Sequence, residues 1–187
     1  IPALIGLNKT DKPSAVLARE RLRPYRAMGV QVLEFALKAD PAAALARLQP
    51  LLQGRITLVL GPSGTGKSTL IYLLVPQAQA QVGEISQALN SGRHTTTSTL
   101  WYWLDTARRG ALIDSPGFQE FGLRHIDPAQ LATLMPDLRA QLGGCRFYNC
   151  MHRHEPGCGV LAAVERGEIA PQRYRLYAEI LDELTER

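Results

Sequence analysis

The sequence predicts an α/β protein, with a doubly wound, mostly parallel sheet over residues 1–125 and a small helical domain over residues 126–187. Three observations carry that expectation. Short apolar runs alternate with helix-length segments through the first two thirds of the chain, the pattern of a sheet covered by helices on both faces. A glycine-rich stretch, Gly61-Pro62-Ser63-Gly64-Thr65-Gly66-Lys67-Ser68-Thr69, stands between a strand-like run and a helix-like one. All three cysteines fall within residues 145–158, where the alternation has stopped.

Taken in order, Ile1 to Leu7 is strand-like; because the chain begins inside an apolar run, a longer protein continuing upstream is expected. Ser14 to Met28 reads as a helix opened by Pro13-Ser14, and Val30 to Phe35 as a strand. Pro41 to Leu52 is a second helix, which Gly54 can close before the strand Ile56 to Leu60. A helix follows from Ser68 to Leu74, then strands at Ser98 to Leu104 and Ala111 to Ile113. Pro128 to Leu142 and Pro171 to Leu184 look helical, and in the latter Tyr174, Tyr177, Leu181 and Leu184 cover one side. That stripe is expected to pack on neighbouring structure rather than stack on RNA bases.

At 187 residues the chain can bury one substantial core, or one core with an appendage. It has no apolar run near the ~20 residues that a membrane span needs, and its first residues lack the basic leader of a signal peptide. A cytoplasmic monomer with no membrane partner is expected. The net charge of +4 and pI near 9.2 permit an RNA partner but are too mild to argue for one. Arg19, Arg21, Arg23 and Arg26 read as a solvated helix face.

The stretch from Gly61 to Thr69 has the spacing of a loop whose backbone N–H groups wrap nucleotide phosphates, with Lys67 at the β and γ groups and the Ser68 hydroxyl on magnesium. Lys67 is read as catalytic as well as binding. The helix that follows aims its positive end and unpaired N–H groups at the same place. Asn8-Lys9-Thr10-Asp11 adds a base-reading element: the carboxylate of Asp11 can accept two N–H groups from guanine, and adenine offers no matching pair of donors. Its position ahead of the phosphate loop, an inverted order, is the most informative feature of the chain. Asp114-Ser115-Pro116-Gly117 follows an apolar run and so places Asp114 at a strand's C-terminal end, where it can hold magnesium, with the Gly117 N–H facing the γ-phosphate. In Gly92-Arg93-His94-Thr95-Thr96-Thr97 a threonine is expected to cap magnesium; Thr96 is taken for that role, with Thr95 next in register.

Those motifs, in that order and wording, resemble the circularly permuted, ribosome small-subunit-dependent GTPase family RsgA, also called YjeQ, over nearly all of the chain. The resemblance implies a circularly permuted P-loop GTPase domain with a C-terminal zinc domain, GTP and GDP as ligands with magnesium, and late maturation of the small ribosomal subunit through contact with its rRNA. It also implies an N-terminal OB-fold and a first strand and helix that this sequence does not contain. Where the family usually has a Ser-Ala pair in the second guanine-contacting loop, the chain reads Phe35-Ala36, so only Ala36 is carried over. After Gly117 comes Phe118 in place of a water-positioning glutamine, as in the family, and the resemblance points instead to His94 as the group that orients the attacking water.

The cysteines form a C-x4-C-x-H-x5-C cluster, Cys145 to Cys158, and an odd count in a cytoplasmic chain argues against disulfides. Three thiolates and one imidazole suit a closed, structural, tetrahedral zinc site. Cys145, Cys150, His152 and Cys158 are the expected ligands; His152 matches the family's pattern, and His154 is its rival on spacing alone. Arg146, Arg153 and His154 make a small basic group that could meet rRNA phosphate.

Two functions follow. The first is a GTP-hydrolysing assembly factor stimulated by the small subunit. The alternative is a nucleotide-gated rRNA-binding module with negligible turnover in this fragment. An ATP-using P-loop kinase is disfavoured by Asn8-Lys9-x-Asp11.

Overall fold

A computed structural model describes residues 2–78, 99–115, 123 and 125–186. The chain divides into two compact units, Ile1–Glu20 with Gln31–Phe121, and Arg21–Val30 with Gly122–Arg187. Helix α1 (Ala15–Ala27) runs through both.

In the first unit, β1 (Leu4–Leu7) pairs in parallel with β2 (Gln31–Glu34), Leu4 opposite Gln31 and Leu7 opposite Glu34. A second ladder has the order β3-β5-β4, from β3 (Ile56–Val59), β4 (Leu100–Trp103) and β5 (Ala111–Asp114). Strand β5 is parallel to β3 and antiparallel to β4. The link Leu104–Gly110 is too short for the crossover of roughly a dozen residues that a parallel partner needs, so β4 and β5 form a hairpin.

Residues directly opposite one another share a face of a sheet. Val59, Leu112, Asp114, Leu100 and Tyr102 therefore point to one side, where a core forms with Ile71 and Val75 from the end of α3 (Lys67–Leu74) and Ala44, Leu48 and Leu52 from α2 (Pro41–Leu52). The α2 residues recur at four-residue spacing, one stripe of a helix. Asp40 begins that helix by accepting from the Ala43 N–H at 3.0 Å, ahead of Pro41 in its first turn. On the other side of the ladder Ile56, Leu58, Trp101 and Trp103 are exposed among the described residues.

The second unit is helical. The segment expected as one helix from Pro128 to Leu142 is instead broken: a 3₁₀ turn at Pro128–Gln130, α4 (Leu131–Leu134), α5 (Pro136–Arg139) and a second 3₁₀ turn at Leu142–Gly144. The break is at Met135, whose φ of −102° and ψ of 110° are extended. A residue that precedes proline is pushed out of the helical region by the proline ring, and here Pro136 follows. α6 (Gly159–Glu165) and α7 (Pro171–Thr185) complete the unit, whose core gathers Leu131, Leu138, Val160, Ile169, Tyr177 and Leu181. Arg173 of α7 is buried there in a forked ion pair with Asp137, at 2.8 and 3.0 Å, and its guanidinium lies 4.9 Å from the ring centre of Tyr25.

Candidate nucleotide and metal sites

The C-terminal ends of β1, β2, β3 and β5 carry the loops that the sequence singled out. After β1, the Asn8 side-chain amide donates to the carbonyl of Thr65 at 3.0 Å, across 57 positions of sequence. Asn8 Oδ1 accepts from the Lys9 N–H at 2.8 Å and from the Leu37 N–H at 3.1 Å. Lys9, at a positive φ of 62°, extends its Nζ to the Gly64 carbonyl at 2.8 Å. Thr10 adds a backbone bond from its N–H to the Phe35 carbonyl at 3.3 Å, and the Ala36 carbonyl accepts from Asp40 N–H at 2.8 Å. Asn8, Lys9 and Thr10 thus tie the loops after β1 and β2 to each other and to the phosphate loop, while the Ala36–Asp40 bond lies within the loop after β2. Asp11 stands at the surface, 3.3 Å from Lys12.

Phe35, where the resembling family usually has serine, is a core residue. Its ring lies so close over β1 that a Cβ on Gly6 would sit 2.9 Å from Phe35 Cζ, and it joins Leu37, Leu48 and Leu52 in the core. The absence of a side chain at Gly6 is what makes room for that ring.

Within the phosphate loop, Pro62, Ser63, Gly64 and Thr65 are exposed, as is Ser68, while Gly61, Gly66, Lys67 and Thr69 are half-buried. Gly66 has a φ of 109°, and a Cβ there would run into the Asn8 amide, so glycine is required twice over. Lys67, the first residue of α3, donates to the Gly61 carbonyl at 2.6 Å and the Pro62 carbonyl at 3.0 Å, and Thr65 Oγ1 donates to Pro62 at 2.9 Å. Asp114, opposite Val59 at the end of β5, is buried. Burial pushes its carboxyl upward and the charge of Lys67 partly offsets this. Ser115 Oγ donates to the Val59 carbonyl at 2.8 Å and fastens the end of β5 to β3. His94, Thr96 and Gly117 lie outside the described residues.

In the second unit Cys145, Cys150, His152 and Cys158 bring their ligand atoms within 4.8 Å of one another. His152 takes a left-handed backbone, φ 57°, which turns Nδ1 to 3.6 Å from Cys145 Sγ and 3.5 Å from Cys158 Sγ. A tetrahedral ion with bonds of about 2.0–2.3 Å separates its donors by about 3.5–3.8 Å, so three sulfurs and one nitrogen fit a zinc-sized ion. Burial pushes the His152 pKa down, in favour of the neutral imidazole, against the pull of Glu155. Burial, with the neighbouring thiols Cys158 and Cys145, pushes the Cys150 thiol up to about 12, a cost that a bound cation would remove. His154 is exposed and outside the group.

The ligand loop is held from several directions. Its neck is closed by a bond from the Arg146 N–H to the Gly157 carbonyl at 2.9 Å, and Gly144 and Gly159 meet so closely that a Cβ on Gly159 would lie 2.9 Å from the Gly144 Cα. Glu155 accepts three backbone N–H groups, from Met151 at 2.7 Å, Arg153 at 2.8 Å and His154 at 3.1 Å. Burial opposes ionisation of this carboxyl, but the three bonds outweigh it and hold the pKa down at about 2. From α7, Tyr174 donates to the His152 carbonyl at 2.8 Å and Tyr177 to the Met151 carbonyl at 2.9 Å, so the aromatic stripe packs on the ligand loop. Arg153, expected in a small basic group, donates to the Ala178 carbonyl and pairs with Asp182 at 3.1 Å while remaining partly exposed.

A family model described as RsgA GTPase matches residues 1–124. The chain belongs to the RsgA GTPase family. The small ribosomal subunit biogenesis GTPase RsgA of Variovorax paradoxus (strain S110) is 58% identical over 191 residues, covering 100% of this chain and 60% of that protein. Its namesake from Burkholderia pseudomallei (strain 668) is 54% identical over 184 residues, covering 98% of this chain and 58% of that one. The chain thus spans about 60% of the length of the curated relatives it matches. Among solved structures, YloQ, described as a circularly permuted GTPase, aligns with a TM-score of 0.71 at 28% identity over 98% of this chain and 57% of that one. YjeQ from Thermotoga maritima gives 0.73 at 27% identity over 98% and 60%. The RsgA relationship and the geometry agree on a circularly permuted P-loop GTPase fold, and the Cys3His cluster that could bind zinc lies beyond residue 124, outside the stretch matched by the RsgA model.

Sequence reasoning missed Glu155, Ser115, Asp137 and Tyr102. A carboxylate three residues after a ligand histidine, inside a loop of this length, was the one available signal for Glu155; the others read as ordinary turn, surface or strand residues.

Proposed function

We propose that this chain binds GTP and GDP and hydrolyses GTP, as part of a factor that acts in late maturation of the small ribosomal subunit and is stimulated by that subunit. The observation that carries the reading is the pair of bonds from Asn8 and Lys9 to the phosphate loop at Thr65 and Gly64. Two motifs that lie in inverted order along the sequence are joined in space, as a site that reads guanine and holds phosphates at once requires.

In this reading the backbone from Gly61 to Gly66 wraps the phosphates, Lys67 neutralises the β and γ groups, and Ser68 and Thr69 open the helix whose positive end faces them. Asp11 reads the guanine, with Asn8, Thr10 and Ala36 shaping its pocket. Magnesium, when bound with the nucleotide, supplies charge neutralisation between the β and γ phosphates. Asp114, Ser68 and Thr96 are the residues to hold it, Gly117 gives its N–H to the γ-phosphate, and His94 orients water. Cys145, Cys150, His152 and Cys158 hold one structural zinc, which keeps the ligand loop folded. The partners are GTP or GDP and the small subunit with its rRNA, and the factor works as a cytoplasmic monomer. No helix among the described residues is long and apolar enough to cross a membrane.

The test is GTP turnover with and without small ribosomal subunits, together with GDP and ADP binding. A slow intrinsic rate that rises with subunits, and a preference for GDP over ADP, are expected. Guanine-specific binding with no turnover under either condition would instead favour the nucleotide-gated RNA-binding module, and equal affinity for ADP would overturn the guanine reading.

A further inference from the structure

Among the described residues, two buried side-chain atoms of the first unit have no hydrogen-bond partner, the Tyr102 hydroxyl and Asp114 Oδ1. Tyr102 is 4% exposed and Asp114 5%. Their positions are related by the β4–β5 ladder, in which Tyr102 stands opposite Leu112 and Leu100 opposite Asp114. Residues opposite each other, and residues two apart on one strand, share a face. Tyr102 and Asp114 are therefore diagonal neighbours on the face that packs against α3, at a spacing on the order of 7–8 Å that an aromatic side chain can span. The phenol already responds to the carboxylate: its pKa is raised by burial first, then by the charge of Asp114 and by Tyr72.

A buried hydroxyl that serves only as hydrophobic surface gives up its bonds to water for nothing, and phenylalanine would fill the same space without that loss. A buried carboxylate oxygen has the complementary need, because it accepts and cannot donate. One donor and one acceptor, both unpaired, occupy adjoining places on one sheet face. A single water is the simplest link for such a pair, since it can accept from the phenol and donate to the carboxylate.

We propose that Tyr102 is a positioning residue for Asp114: through one bridging water its hydroxyl donates to Asp114 Oδ1 and fixes the orientation in which the carboxylate meets the magnesium that accompanies the nucleotide. The inference rests on the nucleotide reading above. Tyr102 itself touches neither phosphate nor metal and acts only through Asp114.

The experiment is Tyr102→Phe in the chain as it stands, with fluorescent GDP titrated at a series of magnesium concentrations, alongside thermal unfolding without nucleotide or magnesium. The expected result is a rise of roughly 3- to 10-fold in the magnesium concentration that half-maximally tightens GDP binding, the range of a single lost hydrogen bond of ordinary net strength, as suits a contact made through water. GDP affinity without magnesium should stay at the wild-type value, and the unfolding midpoint should fall by no more than one lost hydrogen bond accounts for. An unchanged magnesium response overturns the proposal, and so does a parallel loss of magnesium-free affinity and midpoint, which marks Tyr102 as packing alone. If the wild-type chain binds no GDP, the nucleotide reading fails first and this inference with it. Should the variant not fold, 3-fluorotyrosine placed at position 102 supplies the readout: its ¹⁹F resonance should move when magnesium is added to the GDP complex, and an unmoved resonance overturns the proposal.

Discussion

Asn8 and Thr65 are joined by a hydrogen bond from the asparagine amide to the threonine carbonyl at 3.0 Å, across 57 positions of sequence. The same side chain accepts from Lys9 and Leu37, so one residue sets the distance between the loops after β1, β2 and β3. Asn8→Ala leaves the Leu37 N–H and the Thr65 carbonyl without this partner. A loss of about 1–3 kcal/mol in stability is expected, with GDP affinity lowered by about tenfold or more, as read by urea unfolding and nucleotide titration. Wild-type values on both measurements would mean that the loops hold their spacing by other means.

Phe35→Ser restores the residue usual in the family, yet Phe35 is core, packed over Gly6. Truncation of a buried phenylalanine costs about 3–5 kcal/mol when the site cannot collapse. We expect a lower unfolding midpoint and no gain in guanine affinity; tighter GDP binding by a stable variant would show that position 35 still belongs to the base pocket.

Asp137 and Arg173 form the buried ion pair of the second unit. Burial alone would raise the Asp137 carboxyl, but the bonds from Arg173 and its charge outweigh this and hold the pKa below the ordinary value. A carboxyl depressed in the folded state stabilises above its unfolded pKa and loses that contribution as pH falls through its folded pKa. The stability difference between wild type and Asp137→Asn should therefore be full at pH 7 and shrink steadily below about pH 4. A difference that does not vary with pH would contradict the charged pair.

Zinc content, measured by mass spectrometry, is expected at one ion per chain and lost in Cys150→Ser. Stripping the metal with a chelator should lower the denaturant midpoint of the second unit while GDP binding persists, because the two sites lie in separately packed cores. An equally stable metal-free form would remove the structural role.

His94→Ala is expected to leave GTP binding nearly intact and to cut turnover roughly 10-fold or more, the low end of what a positioned catalytic group contributes. Unchanged turnover would take His94 out of the mechanism.

Much of this was legible in the residues. Strands β1 to β5, helix α2 with its Asp40-Pro41 start, and the phosphate loop announce themselves because each depends on local pattern or on a spacing that only one geometry satisfies. The cysteine and histidine cluster is legible for the same reason. What stayed hidden was whatever depends on the fold's return path. Arg153 looks like a surface charge until Asp182 of α7 is seen to pair it, and Arg173 of α7 looks like one until Asp137 of α5 is seen to pair it within the core. Phe35 looks like a departure in a binding loop until Gly6 makes room for its ring. The fracture at Met135 could have been read, since the constraint that proline places on its predecessor is local, but the apolar periodicity from Leu131 to Leu142 argued for continuity.

The closed neck of the metal loop bears on how the ion is gained and lost. Cys145 and Cys158 stand on two chain segments already drawn together by the Arg146–Gly157 bond and the contact of Gly144 with Gly159. Most of the entropy of closing a 14-residue loop is then lost with folding of the backbone rather than at metal capture. An ion arriving at such a site meets donors already near their final separations, so its affinity is set by coordination and deprotonation more than by ordering. The same bonds hold only the two ends of the loop, so without an ion the neck stays closed while the stretch between Cys145 and Cys158 loses the tie that four ligands would give it.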